Sequence, residues 1–577
     1  MWFIVPQKPI KMKKWNILNK TAQDLVDIDS LVGVILQNRG ITAEEDIRTF
    51  LHPKLEDITP ISLNIDTKEL QRGVDRVRKA IEGKESIVVY TDYDVDGICA
   101  GAIVWETLYA LGANIMPHVP HRVDEGYGLS HKGIIHVKGK FQASLIITVD
   151  HGIVAHEEVD FARSLGIDVI LTDHHTPSST KPKAHALIHT TQLSGSGVAW
   201  FFAKAIRDQF TKRGLNNSKE SSAKRDDHLE LAAIATISDL VSLIGPNRAI
   251  VKHGLDMVRT TTRVGLLALI EESGLTLEKI GTYEVGHVLA PRINAMGRLT
   301  HAIEALRLLC TKDNTRAHVL AQKLGLTNKE RQELTQETVM HAKELLARET
   351  KIDNSQGEKL IFLHHTSFNQ GIIGLVAGKL VEEHYRPAVV IAEGLQYSKA
   401  SARSIKGFNI VEAIRSCGDL LIDCGGHPMA AGFTVETTKI MLLKKRLKEI
   451  AERELDEDTL TPTIAIDCTL PLEAIRMEVV ERLGQLEPFG MGNPKPIFAS
   501  FGVLVERARL VGATGNHLKL TLKDNLALDV IGFGLGNVYK ELQPGKPIDI
   551  VYALEENEWN GSKRLQLRLK DVRIPHI

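Results

Sequence analysis

The chain has 577 residues, a formal net charge of −1, 43% hydrophobic and 25% charged residues. That length exceeds a single hydrophobic core, so several domains are expected. The near-neutral total excludes a uniformly basic nucleic-acid coat but leaves room for a local basic groove, and no apolar run approaches the ~20 residues that span a bilayer.

In chain order, residues 1–60 predict a small helical segment, with helices over 23–39 and 43–50 closed by Pro53 and Pro60. Its start, a short apolar run followed by lysines, does not read as a signal peptide, and Met12 offers an alternative start. From 61 to 265, apolar runs at 87–90, 115–119, 145–149, 169–171 and 186–188 alternate with helical stretches, which predicts a parallel sheet with helices on its faces. The polar stretch 216–227 predicts a solvated loop. Residues 266–350 read as a helical connector whose proline-free stretch 314–349 is a long exposed helix joining two lobes. A second α/β block covers 351–458. In 459–577, short alternating runs at 518–522, 527–532, 548–554 and 565–569 predict a small β-barrel. Cys99, Cys310, Cys417, Cys424 and Cys468 form no CxxC pair, which predicts reduced thiols in a cytoplasmic protein.

The chemistry concentrates at strand ends. Tyr90-Thr91-Asp92-Tyr93-Asp94-Val95-Asp96-Gly97 follows one apolar run, Asp150-His151-Gly152 follows another, and Thr172-Asp173-His174-His175 follows a third. Alone, the first motif is an Asp-rich surface turn, or a calcium loop lacking its acidic twelfth position. Recurrence changes that reading, because in a parallel sheet all three ends lie along the carboxyl edge, where ligands bind. Asp92, Asp94, Asp96, Asp150, Asp173, His174 and His175 can therefore line one crevice, with Asp239, which closes the apolar helix 231–237, within reach. Mixed carboxylate and imidazole donors suit manganese or magnesium, and a set this large can hold two divalent ions. Two such ions point to phosphoester hydrolysis.

These motifs resemble the DHH phosphoesterase superfamily and, within it, the RecJ family of bacterial single-strand-specific exonucleases. The resemblance extends through Glu125-Gly126-Tyr127-Gly128, Pro291–Arg298, Gly371-Ile372-Ile373-Gly374, Ser401-Ala402-Arg403-Ser404, Gly425–Gly432 and Pro488–Pro494, in the family's order over about residues 85–500. It implies an α/β fold: a parallel-sheet DHH domain, a long connecting helix, an α/β DHH-associated domain and an OB-like β-barrel. It also implies 5′-to-3′ exonuclease activity on single-stranded DNA, in repair and recombination. By position, Asp94, Asp96, Asp150, His174 and Asp239 are the implied metal ligands, with Asp150 bridging. Asp92 and His175 join them or bind substrate, and Asp173 ligates or orients a histidine. Two positions depart from the family: His151 stands where Asn is expected, and Phe368-Asn369 where Trp-His is common.

Implied contacts to the nucleic acid are Arg122, Tyr127 and Arg298, with Gln370, Gly371, Ser401, Arg403, Gly425, Gly426 and His427 in the second lobe. Tyr93, Tyr127 and Phe368 could stack on a base, although buried packing is the commoner role of a single aromatic. The two lobes are expected to enclose a cleft that admits one strand. A monomer is expected, with a helicase and a single-strand-binding protein as partners and no membrane. Two readings compete: a DHH phosphodiesterase acting on short oligonucleotides or cyclic dinucleotides, and a scaffold that has lost catalysis. The C-terminal block speaks against the first, and the complete set of acids with His174 against the second.

Overall fold

The computed structural model describes residues 13–20, 28–122, 124–212, 228–352, 357–523, 528–543, 545–559 and 562–575. Met12, the beginning of the helix expected over 23–39 and the polar stretch 216–227 lie outside them. The chain divides into two compact units, Ile41–Lys329 with Gln485–Lys495, and Met1–Gly40 with Glu330–Gly484 and Pro496–Ile577. Among the described residues, no helix is long and apolar enough to cross a membrane.

The first strand, β1 (Lys14–Asn19), lies where the sequence predicts only helix. It pairs in parallel with residues 463–469, Trp15 opposite Ile464 and Ile17 opposite Ile466. A partner that far along the chain leaves no local trace beyond a six-residue alternation. The helices Ile28–Asn38 and Glu44–Leu51 follow.

In the first unit, β2 (Ser86–Tyr90), β3 (Asn114–His118), β4 (Leu145–Val149), β5 (Asp168–Asp173) and β6 (Ala186–His189) form a parallel sheet in the order β3-β2-β4-β5-β6. Their nearly unbroken Val, Ile and Leu content reflects burial on both faces. Ile87, Val89, Leu145 and Ile147 pack with Ile98, Ile103, Trp200 and Ile234 from the helices Val95–Ala110, Gly195–Lys212 and Leu229–Ser238. Val88, Tyr90, Ile146 and Val169 pack with Ile134 and Val159 from His131–Phe141 and His156–Ser164. Each such side chain contributes about 1.5–3 kcal/mol on burial, which makes the sheet a stiff platform. Because β2, β4 and β5 are neighbours at ~4.8 Å spacing, their carboxyl ends fall within one crevice's width. The long helix expected after residue 314 is continuous over Asn314–Ile352.

In the second unit, β7 (Ile361–His365), β8 (Ala388–Ala392), β9 (Tyr397–Arg403), β10 (Leu421–His427) and β11 (Ala430–Glu436) form a sheet in the order β10-β11-β9-β8-β7. β7 and β8 are parallel, with the helix Ile373–His384 between them in the chain, and the other pairings are antiparallel. The last sheet joins β1 to β12 (Thr463–Thr469), β13 (Phe498–Val511), β14 (His517–Leu522), β15 (Asp529–Gly532), β16 (Pro547–Trp559) and β17 (Ser562–Arg573). Where the sequence predicts a barrel, the described residues form this seven-stranded sheet, in which β13 pairs with β16 as well as β14.

One buried residue of the first unit carries no sequence signal. Arg248 is fully buried, stacked 3.8 Å over the Phe50 ring, and donates to Phe50 O (2.6 Å), Glu487 O (2.7 Å) and Pro488 O (3.4 Å). Arg248→Met keeps much of the apolar stem but strips those carbonyls of this donor. Stability in urea is expected to fall by about 3–5 kcal/mol. A loss under about 1 kcal/mol would show that the carbonyls find other donors.

Candidate metal centre

After β2 the chain turns through Thr91–Asp94 into the helix Val95–Ala110. Asp94 caps that helix, accepting from Asp96 N (2.9 Å) and Gly97 N (3.1 Å). Gly97 is required for the turn, since a Cβ there would stand 2.7 Å from both Asp92 N and Asp92 O. Asp96 accepts from Gly195 N and Ser196 N, one on each carboxylate oxygen and both at 2.7 Å, so the N-terminus of Gly195–Lys212 holds its charge. Each of those oxygens keeps a lone pair for a cation.

Asp150 follows β4 at φ +68, a left-handed conformation that costs a non-glycine residue about 1–3 kcal/mol. Gly195 makes room for it: a Cβ at 195 would stand 2.3 Å from Asp150 Oδ1. Asp173 ends β5, and its Oδ1 takes most of its hydrogen bonds. Its Oδ1 accepts from His174 N (2.7 Å), His175 N (3.0 Å) and His175 Nδ1 (2.8 Å), and its Oδ2 from Ile153 N (2.8 Å). Burial alone would raise its carboxyl, but these bonds and the His175 charge hold it well below the usual carboxylate range. Asp173 falls in none of the donor sets close enough to share an ion, and of the two roles the resemblance implies its bonds favour orienting His175. Burial pulls the His175 imidazole down, and the bond to Asp173 outweighs it, leaving it raised.

His174 Nε2 lies 3.2 Å from Asp150 Oδ1, 3.6 Å from Asp239 Oδ2 and 3.8 Å from Asp96 Oδ2. Three sets of donor atoms each fall within 4.8 Å of one another: Asp92, Asp94 and Asp150; Asp150, His174 and His175; Asp96, His174 and Asp239. Asp92 Oδ1, Asp150 Oδ1 and His174 Nε2 are buried with no hydrogen-bond partner. Burial first, then the neighbouring acids, push the carboxyls of Asp92, Asp94 and Asp150 upward and that of Asp239 up to about 9. Burial lowers the His174 imidazole, which keeps it neutral and able to ligate. Orphaned donor atoms among mutually repelling acids fit divalent cations, which supply the missing positive charge.

Around this cluster, Arg122 lies 4.1 Å over the Tyr93 ring and donates from Nε to Gly297 O (3.0 Å). The hydroxyl of Tyr127, a half-exposed residue, is 3.4 Å from His175 Nε2 and 3.5 Å from Asp150 O. Arg298 follows Gly297 on the helix Ala290–Leu299, close enough for its charge to act on Tyr93. His151 is buried against Tyr90 O (3.0 Å), and burial takes its imidazole down to about 4, so it is a neutral packing residue. Sequence reasoning missed Gly195, Ser196 and Asn294, whose Oδ1 accepts from Val95 N (3.2 Å). For the first two the available signal was the Ser194-Gly195-Ser196-Gly197 run before an apolar helix, which looks like any small-residue turn, and for Asn294 it was the matching segment Pro291–Arg298, in which it was given no role of its own.

The second unit brings another part of the candidate set together. Arg403 donates to Ser401 Oγ (3.1 Å) and Ala402 O (2.8 Å), and burial lowers its guanidinium below the usual range. Gly374, on the first turn of Ile373–His384, lies beside them, its absent Cβ 2.9 Å from Ser401 Oγ and 3.1 Å from Arg403 Nη2. Gly425 stands opposite Gly432, which stands opposite Ser401, and His427 and Arg403 both pair with Ala430. Gly426 needs its open conformation (φ +142), since a Cβ would meet Ala430 O at 2.3 Å. Gln370 is exposed, while Gly371 N donates to Asn369 Oδ1 (2.8 Å). Phe368 is 5% exposed and packed against His341 and His365, so it is no stacking surface.

The chain is similar to known proteins along most of its length. Family models match at residues 86–236 (DHH family, N-terminal domain), 357–453 (DHHA1 domain) and 466–571 (RecJ OB domain). The chain is 36% identical over 567 residues to the single-stranded-DNA-specific exonuclease RecJ of Bacillus subtilis, spanning 96% of this chain and 69% of that protein. The crystal structure of RecJ from Thermus thermophilus in complex with Mn2+ is similar at 31% identity and a TM-score of 0.79, covering 98% of this chain and 80% of that one. The Mg2+ complex from the same organism gives 29% identity and a TM-score of 0.73, covering 98% and 78%.

The glycine at 195 yields a direct check. Gly195→Ala drives a methyl group onto Asp150 Oδ1 and is expected to abolish most of the thermal stabilisation that manganese gives the wild type. Circular dichroism should show the same helix content. A shift equal to the wild type's would mean that Asp150 moves aside without cost.

Proposed function

The chain belongs to the RecJ family of single-stranded-DNA-specific exonucleases, and we propose that it hydrolyses single-stranded DNA from the 5′ end, in repair and recombination, with the metal centre as its active site. The observation that carries this reading is the overlap of the donor sets: Asp150 belongs to two of them and His174 to two, so one residue would serve more than one ion. Asp92, Asp94, Asp96, Asp150, His174 and Asp239 would hold two divalent ions, manganese or magnesium, with Asp150 as the ligand they would have in common. Ions bound there supply Lewis acidity at the phosphate and make an attacking water more acidic.

The chain's own groups do the rest. Asp173 fixes the His175 ring so that Nε2 faces the Tyr127 hydroxyl, and the two together offer a hydrogen-bonding pair beside the centre. Arg122 and Arg298 supply positive charge for the backbone, and the half-exposed Tyr127 a face for a base. In the second unit Arg403, Ser401 and the helix start at Gly374 form a phosphate grip: among the described residues no carboxylate pairs with Arg403. Arg403→Ala is expected to weaken binding of single-stranded DNA and to reduce the slope of log affinity against log salt by about 0.7, one phosphate contact. Metal affinity should stay as in the wild type. An unchanged slope would make Arg403 a structural residue.

Duplex must be unpaired before one strand can be digested, at about 1.4 kcal/mol per base-pair step. The sequence carries no GxxxxGK[ST] phosphate loop, so this chain has no such ATP-driven means of doing so. A helicase and a single-strand-binding protein are accordingly its expected partners. The deciding experiment compares blunt, 5′-overhang and 3′-overhang duplexes with manganese, each labelled at the end under attack. The 5′ overhang should be digested and the blunt duplex left nearly intact until a helicase is added. Unaided digestion of blunt duplex would overturn strand selectivity, and preference for the 3′ overhang would overturn the polarity.

A further inference from the structure

The segment Pro488–Pro494 takes no part in the centre described above, yet it lies against the chain that follows Asp239. Gln485–Lys495 packs with the unit that holds the metal centre, whereas Gly484 and Pro496 on either side belong to the other unit. Gly490 and Asn493 exchange backbone hydrogen bonds (2.8 and 3.2 Å), closing a tight turn with Gly492 at φ +73. Asn493 is fully buried and braces that turn, donating to Leu486 O (2.8 Å) and Pro488 O (2.7 Å).

The turn meets the chain just after a candidate ligand. Met491 O accepts from Leu243 N (2.7 Å), and a Cβ at Gly492 would stand 1.9 Å from Ser242 Oγ. A Cβ at Gly490 would stand 2.6 Å from Leu243 Cδ1. Ser242 and Leu243 follow Asp239 closely in the chain. Asp94, Asp96 and Asp173 are each held by backbone amides. Among the described residues, no N–H or O–H donates to the Asp239 carboxylate, which ends a helix and is followed by Leu240 at φ +59. The helix holds its backbone from one side, Asp239 N donating to Ala235 O (2.9 Å), and the chain that follows, braced at Leu243 by the turn and at Ser242 O by Asn247 Nδ2 (3.1 Å), holds it from the other.

We propose that the turn 490–493 is a positioning element for Asp239: by holding Ser242 and Leu243 it sets Asp239 against His174 and Asp96, and with it the affinity of that ligand set for a divalent ion. The inference rests on the metal-centre reading of Asp239. A loop that merely packs would change stability without changing metal affinity selectively.

The test is manganese binding by equilibrium dialysis of the full chain, with urea unfolding measured in parallel. Asp239→Asn and Gly492→Ala should each weaken binding about tenfold or more, the range seen when groups that orient metal ligands are lost. Asn493→Ala, which adds no clash, should weaken it in the same direction, and it decides the matter if Gly492→Ala does not fold. Gly492→Ala combined with Ser242→Ala should recover part of the affinity, because the atom met at 1.9 Å is gone while Ser242 Cβ at 3.1 Å and the φ of +73 still strain the turn. Wild-type binding by both Gly492→Ala and Asn493→Ala, with Asp239→Asn impaired, overturns the positioning role alone. Wild-type binding by Asp239→Asn overturns the metal reading as well.

Discussion

Repulsion among Asp92, Asp94, Asp96, Asp150 and Asp239 is the constraint on which the centre depends. Buried acids this close cannot all be ionised without positive charge between them. The surroundings keep them from drifting apart. A doubly covered parallel sheet fixes two strand ends, a helix N-terminus grips Asp96, and Gly97 and Gly195 remove the atoms that would stand in the way. The left-handed backbone at Asp150 is held at a cost by the same architecture. Protons relieve the repulsion one acid at a time, as the raised carboxyls show, and divalent ions would relieve it while leaving the acids ionised.

The two units treat buried arginine in opposite ways. In the first, Arg263 is neutralised within the fold by Glu106 (2.9 Å) and Glu230 (3.0 Å). In the second, Arg403 has a hydroxyl and a carbonyl as partners but no acid among the described residues, although burial lowers its guanidinium. An arginine kept under burial without a counter-charge is suited to an anion that arrives from outside, and a phosphate matches its planar fork. Arg248, gripped by carbonyls, is a third case, in which the charge serves only to tie chain segments together.

Much of the site was legible in the sequence because its residues sit at ends of strands that announce themselves. Short runs of Val, Ile and Leu, each ending in Asp or His, place Asp92, Asp150 and His174 on one sheet edge by topology alone. The long helix and both α/β blocks were legible for similar reasons of periodicity. What escaped is whatever depends on distant partners. β1 becomes a strand only beside β12, and Gly195 matters only because Asp150 stands next to it. The orienting role of Asp173 was among those the resemblance implied, while the amides of His174 and His175 that reach its Oδ1 have no signature in the spacing. For Phe368 the commoner of the two roles the sequence left open, buried packing, is the one the two histidine rings fill.

The central claim is that two divalent ions share Asp150. Electron paramagnetic resonance of the protein loaded with two equivalents of Mn2+ tests it most directly, since ions about 3.5–4 Å apart through a bridging carboxylate are exchange-coupled. The account predicts a coupled spectrum in the wild type that collapses to isolated Mn2+ in Asp150→Asn. An isolated-ion spectrum in the wild type, or coupling that survives Asp150→Asn, would contradict it.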